Sequence, residues 1–200
     1  IGPIVLGALD DPASLAELAA ASDVITLEIE NVAVAPLEAL EAGVPVYPPP
    51  AAIAAAQDRL HEKELFRTLG IPSAPFVAVA SEEDLASAAE TLGAPLVLKT
   101  RRLGYDGRGQ RFVHDLAQLS AAWTELGRAP SIAERFLRFT REVSLIGACN
   151  SRDCVFYPLT ENVHRDGILA TSIAPFADPA LGRPAQEWLR AVLERLGYRG

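Results

Sequence analysis

The sequence predicts an α/β and α+β chain, with a small parallel sheet first, a compact α+β unit next and an antiparallel sheet last. Three observations carry that expectation. Strand-like and helix-like segments alternate over the first fifty residues, the rhythm of a parallel sheet with covering helices. A loop with three glycines, Gly104 to Gln110, lies between two apolar strand-like runs, so it joins strands and does not open a helix. From Arg141 onward the segments become short, alternating and β-branched, as antiparallel strands do. The chain divides on this reading into residues 1–50, 51–74, 75–138 and 139–200.

In order, residues 3–6 are expected to form a short strand. Residues 13–21 read as an alanine-rich helix with Ser14 or Asp11 near its start. Residues 23–30 read as a strand with Thr26, Glu28 and Glu30 on one face. Residues 36–42 form a helix closed by Gly43, and residues 45–47 a short strand. Ligands of parallel sheets sit beyond the carboxyl ends of strands, where Glu28 and Glu30 fall. Solvated edge residues would look the same. The run Pro48-Pro-Pro50 is a break, followed by a helical turn and then a helix over residues 57–66, capped by Gly70 and stopped by Pro72. Arg59 and Lys63, four apart, share one face of it.

Residues 75–80 read as a strand, residues 82–92 as a helix capped by Ser81 with acids in its first turn, and residues 95–99 as a buried strand ending in Lys99. A strand resumes at Phe112, a helix spans residues 115–126 and a strand spans residues 131–137. Strands then follow over residues 142–148, 154–157, 160–165 and 168–174. Asp166-Gly167 marks the hairpin between the last two, and a helix over residues 184–196 closes the chain.

Composition bounds the function. Half of the 200 residues are hydrophobic and 22% are charged, enough for a packed core. A net charge of −8 argues against nucleic acid or an anionic membrane as the main partner. No apolar run approaches the roughly 20 residues of a membrane span. Cys149 and Cys154 are expected to be reduced core residues of a cytoplasmic protein, since neither a CxxC spacing nor a histidine cluster accompanies them. With no signal peptide, Ile1 in first place and a last segment ending at Gly200, the chain is expected to be a piece lacking both termini.

Any polyanionic ligand must therefore meet a local cationic site. Of the 18 basic residues only Lys63 and Lys99 are lysine. Lysine offers a compact ammonium where arginine offers a planar fork, and a single phosphate oxygen at a strand end suits the compact group. Glycine-loop amides can close on the same anion. An ordinary glycine hairpin beside a solvated lysine has the same spacing.

The order of a strand-ending lysine, a glycine loop, an acidic strand at Glu134 and a second acid at Glu142 resembles the ATP-grasp superfamily. Within it, the segments DVITLEIENV, AAQDRLHEKELF, LVLKTRRLGYDGRGQ, AERFLRFTREVSLIGA and VFYPLTENVHRDGIL resemble the 5-(carboxyamino)imidazole ribonucleotide synthases of purine biosynthesis. The resemblance implies an ATP-grasp fold with part of a parallel-sheet pre-ATP-grasp domain before it and an incomplete antiparallel sheet after it. It implies a ligase that carboxylates aminoimidazole ribonucleotide with bicarbonate and ATP, in a homodimer.

Carried over by position, it makes Arg59 and Lys99 phosphate contacts. Gly104, Tyr105, Asp106, Gly107, Arg108, Gly109 and Gln110 become the loop over the triphosphate. Glu134, Arg135, Phe136 and Leu137 become the strand that reads adenine. Glu142 would accept from the ribose hydroxyls and His164 would lie in the nucleotide site. Glu28, Tyr105, Asp106 and Arg108 are expected near the ribonucleotide. The family's Mg²⁺ ligands are expected beyond residue 200, so the piece alone is expected to be inactive. Two other readings stay open: another ATP-grasp carboxylase or formyltransferase of purine synthesis, and a nucleotide-binding module without catalysis.

Overall fold

The structure, a computed structural model, describes residues 2–104, 109–165 and 168–200. Its first unit holds helix α1 (Pro12–Ala20), strand β1 (Ile25–Thr26), α2 (Val34–Glu41), β2 (Val46–Tyr47) and α3 (Pro50–Ala56). β1 and β2 pair in parallel, and Ile25, Val32, Leu37, Val44, Val46 and Ile53 bury a small core of their own. Asp11 caps α1 by accepting from the Ser14 amide. The strand expected over residues 3–6 is absent: that segment is irregular, with Ile4 and Leu6 largely exposed. An extended segment without a partner strand has nowhere to place its backbone hydrogen bonds. The strand expected over residues 23–30 shrinks to β1, because β2 offers only two residues to pair with.

Asp58 caps α4 (Arg59–Thr68). The helix ends as the glycine predicts: Gly70 adopts φ +67°, and the Ile71 amide reaches back to the Phe66 carbonyl. The second unit is a four-stranded antiparallel sheet in the order β3-β6-β4-β5, from β3 (Phe76–Val79), β4 (Leu96–Thr100), β5 (Gln110–Val113) and β6 (Ser131–Arg135). Helices α5 (Glu82–Leu92) and α6 (Leu119–Glu125) supply Leu85, Ala88, Leu92, Leu119 and Trp123 to its core. The helix expected over residues 115–126 is two pieces, a 3₁₀ turn at Leu116–Gln118 capped by Asp115 and then α6.

The period of two along these strands sorts the sheet's faces. Leu96 and Leu98 on β4, Val113 on β5 and Ala133 on β6 turn toward the helices and are fully buried. Val97 and Lys99 therefore turn to the opposite face. Register adds their neighbours there: Phe112 opposite Val97, Gln110 opposite Lys99, and Glu134 also opposite Val97. The glycine loop leaves the end of β4 and returns as edge strand β5, as expected.

A third unit is antiparallel. The strand expected over residues 142–148 divides into β7 (Glu142–Ser144) and β8 (Gly147–Cys149), because the two halves pair with different partners. β7 joins β10 (Thr160–Arg165), which pairs with β11 (Ile168–Ile173); β8 pairs with β9 (Cys154–Phe156). The hairpin residues Asp166 and Gly167 lie outside the described residues. The closing helix α7 (Pro179–Arg195) starts five residues before the expected Pro184, since Asp178 accepts from the Ala180 and Leu181 amides and Pro179 suits a first turn.

The reading of Cys149 and Cys154 as reduced is corrected: they form a disulfide. The β8–β9 register sets them directly opposite each other, which sequence spacing alone does not reveal. Among the described residues, no helix is long and apolar enough to cross a membrane.

Candidate nucleotide-binding cleft

The lysine face of the four-stranded sheet is not covered by α5 or α6. It forms one wall of a cleft of about 680 Å³, and the antiparallel sheet of β7 and β10 supplies another. That volume suits a cofactor-sized ligand. At its centre Lys99 Nζ lies 3.1 Å from Glu134 Oε2, a diagonal contact across β4 and β6. Lys63, from the second turn of α4, brings its Nζ to 3.4 Å from the same oxygen. Both lysines of the chain thus meet one buried carboxylate.

Around this trio the walls differ in character. Val97, Phe112, Phe136, Leu137 and Phe139 make an apolar side, with the Phe112 and Phe136 rings edge to face at 4.6 Å between centroids. Past β6 the chain leaves the sheet. The Leu137 N–H and C=O take no protein partner among the described residues. Opposite stand Glu142 and His164, with Nδ1 3.4 Å from Oε1. A register shift between Val163 and His164 breaks the alternation of β10 there, the kind of irregularity that re-aims a side chain.

So the cleft gathers eight of the residues expected there: Lys99, Gln110, Glu134, Arg135, Phe136, Leu137, Glu142 and His164. Arg135 lines it, but its guanidinium donates to the Thr91 and Leu92 carbonyls at the end of α5. Arg59 stands elsewhere. Its Nη1 donates to the Thr100 carbonyl (2.8 Å) and Nη2 to the Gly104 carbonyl (2.9 Å), tying α4 to the mouth of the glycine loop. It lines a second, smaller cleft with Gly104, Glu30 and Asn31. Glu30 and Asn31 reach that cleft from the first unit, and Glu28 does not line it. Tyr105, Asp106, Gly107 and Arg108 lie outside the described residues.

Gly109 closes the loop under two constraints. Its φ is +72°, and a Cβ there would stand 2.6 Å from Thr100 Oγ1. Below the loop mouth, buried Asp58 is gripped by Arg101. Burial alone would push the Asp58 carboxyl up, but the Arg101 hydrogen bonds and the Leu60 amide outweigh it and hold the pKa at about 2. Glu62 goes the other way: burial pushes its carboxyl up, against the pull of Lys63 and Arg59.

Lys63, Val97, Phe112 and Phe139 line the cleft although the expected site omitted them. Alternation with Lys99 carried a signal for Val97, and the scarcity of lysine carried one for Lys63.

The model of the ATP-grasp domain family matches residues 64–200. The chain belongs to the ATP-grasp family. A ribonucleotide synthetase pre-ATP-grasp family matches residues 1–57, the unit with the parallel strands. The ATP-grasp chain is 45% identical over 203 residues to the N5-carboxyaminoimidazole ribonucleotide synthase of Brucella melitensis, covering 98% of this chain and 56% of that protein. The crystal structure of N5-carboxyaminoimidazole ribonucleotide synthetase from Thermus thermophilus superposes with a TM-score of 0.91 at 39% identity, over 98% of this chain and 54% of the other. The Aspergillus clavatus synthase, in complex with ADP and 5-aminoimidazole ribonucleotide, superposes at 0.86 with 30% identity, over 98% and 51%. The chain spans about half the length of the curated relatives it matches.

Proposed function

We propose that the protein carrying this chain is an ATP-dependent carbon–nitrogen ligase that carboxylates 5-aminoimidazole ribonucleotide with bicarbonate to 5-(carboxyamino)imidazole ribonucleotide, a step of purine synthesis. The observation that carries this is the Lys63–Glu134–Lys99 cluster, set beside an apolar wall in an ATP-grasp chain. The apolar wall suits adenine, with the Leu137 backbone, unpartnered among the described residues, available to its edge. Glu142 suits the ribose hydroxyls and Lys99 the phosphates. The loop from Gly104 to Gln110 would close over the triphosphate and exclude water. Arg59 would hold the base of that loop against α4 and add positive charge beside the phosphates. The second cleft, with Glu30 and Asn31 facing Arg59, would take the ribonucleotide.

In the reaction a bicarbonate oxygen attacks the γ-phosphorus of ATP, releasing ADP and forming carboxyphosphate. The exocyclic amine of the ribonucleotide then captures the carboxyl carbon, or the carbon dioxide it releases, and phosphate leaves. Lysine side chains lower the charge barrier to phosphoryl transfer. The residues at hand do not fit a Mg²⁺ site. Glu134 is turned to two lysines and Glu142 to His164, and no trio of His, Cys, Asp or Glu side chains able to hold a metal lies among the described residues. Mg²⁺ would accompany ATP on ligands outside this chain. We also read the whole protein as a cytoplasmic homodimer, on the strength of the family resemblance.

The test is ADP release by the whole protein with each substrate withheld in turn. Release that requires both 5-aminoimidazole ribonucleotide and bicarbonate supports the reading. ATP turnover indifferent to the ribonucleotide would reject this substrate in favour of another purine intermediate.

A further inference from the structure

Lysine is rare in this chain, and both copies converge on one oxygen. Lys63 is the more enclosed of the two, its side chain 16% exposed against 27% for Lys99, and the Glu134 side chain is 9% exposed. Two ammonium groups on one carboxylate leave the cluster with a net charge of +1, inside a protein of net charge −8. A surface ion pair needs one partner for each charge. Glu62 on α4 also attracts Lys63, so acids hold both lysines before a ligand arrives, and an incoming anion must compete with them.

We propose that Lys63 is a second anion-binding lysine of the cleft, held in place by Glu134 until the phosphates of the ligand arrive. The inference rests on the nucleotide reading of this cleft and deepens it. When a polyphosphate enters, one lysine turns to it while the other keeps Glu134 paired, so the buried carboxylate is never left alone. Glu134 thereby competes with the incoming phosphate for whichever lysine turns to it. Position on the fold supports the assignment: Lys63 approaches from α4 and Lys99 from β4, so the pair can embrace a phosphate chain from two sides. Arg59, one turn earlier on α4, cannot do this while its guanidinium holds the Thr100 and Gly104 carbonyls.

The experiment compares binding of ADP, inorganic tripolyphosphate and adenosine to the whole protein and to its Lys63→Met, Lys63→Arg and Glu134→Gln variants. Lys63→Met is expected to lower ADP and tripolyphosphate affinity at least about tenfold and to leave adenosine within about twofold, with Lys63→Arg recovering part of the loss. Glu134→Gln removes the competing carboxylate and should tighten tripolyphosphate binding, a gain that misfolding does not produce. An equal loss of adenosine and ADP in Lys63→Met would show a merely structural lysine, and unchanged ADP affinity a bystander. Either outcome overturns the proposal, as does a Glu134→Gln variant whose tripolyphosphate affinity falls. If the wild type fails to bind ADP, the nucleotide reading fails on its own, and the tripolyphosphate comparison still decides the role of Lys63.

Discussion

Asp58 holds Arg101 through both carboxylate oxygens, accepting from Nε at 2.9 Å and from Nη2 at 2.7 Å. The same carboxylate caps α4 through the Leu60 amide, and the Arg59 amide donates to the Arg101 carbonyl. One buried side chain therefore ties the start of the helix that carries Arg59 and Lys63 to the strand end that carries Lys99. The two lysines meet Glu134 because this joint fixes where α4 begins.

The joint should be acid-labile. Asp58 is 3% exposed, and its folded pKa of about 2 lies below an ordinary aspartate near 3.9. A depressed folded pKa contributes stability that is complete above the unfolded value and is lost as pH falls. The window is therefore about pH 4 down to about pH 2, and the contribution is roughly 2 to 3 kcal/mol. Urea unfolding of wild type and Asp58→Asn at pH 7 and pH 2.5 tests this. The stability gap between them should be large at pH 7 and much smaller at pH 2.5; a gap independent of pH would count against the joint.

Gly109 should tolerate no side chain while Thr100 keeps its hydroxyl. Gly109→Ala combines a left-handed backbone with a Cβ contact at 2.6 Å, and a cost of about 1 to 3 kcal/mol is expected. Adding Thr100→Ala removes the atom met first but not the backbone strain. The double variant should recover about 1 kcal/mol relative to the sum of the single changes. Strict additivity in a denaturation cycle would show that strain alone is responsible.

Local pattern made the sheet and its lysine face legible. Leu96, Val97, Leu98 and Lys99 state their own alternation, and the glycine run states that a loop follows. Caps were legible for the same reason: Asp11, Ser81 and Gly70 act within a turn of where they stand. What sequence could not supply was tertiary. Lys63 enters the cleft only because α4 lies over that face of the sheet. Arg59 is drawn to two carbonyls that are 41 and 45 residues away in sequence. The cysteines meet because of a register that no spacing rule encodes. The strand expected before α1 failed because local pattern cannot show whether a partner strand lies beside it.

The disulfide should be detectable by chemistry. Alkylation of the denatured, unreduced protein should leave Cys149 and Cys154 unlabelled, and prior reduction should expose both. Labelling of both without reductant would refute the bond. The closed loop is short, so reduction should cost only about 2 kcal/mol, roughly 5 °C in melting temperature. The loss should concentrate near Gly200, whose N–H and C=O both pair with the Cys149 backbone.

Val97 and Leu98 are neighbours on one strand with opposite assignments, and substitutions at them should separate stability from binding. Leu98 is fully buried against α5 and α6, so Leu98→Ala removes packed volume from the core and should cost about 2 to 5 kcal/mol. Its effect on ligand affinity should vanish once unfolded protein is discounted. Val97 faces the cleft beside Phe112, so Val97→Ala should cost less than about 1.5 kcal/mol in stability while weakening adenosine and ADP equally. That equality is the decisive part, because an apolar wall touches the base and not the phosphates. A Val97→Ala variant that weakened tripolyphosphate as much as adenosine would place the base elsewhere. With the Lys63 comparison, it would resolve the cleft into an adenine end and a phosphate end using three ligands and no structure.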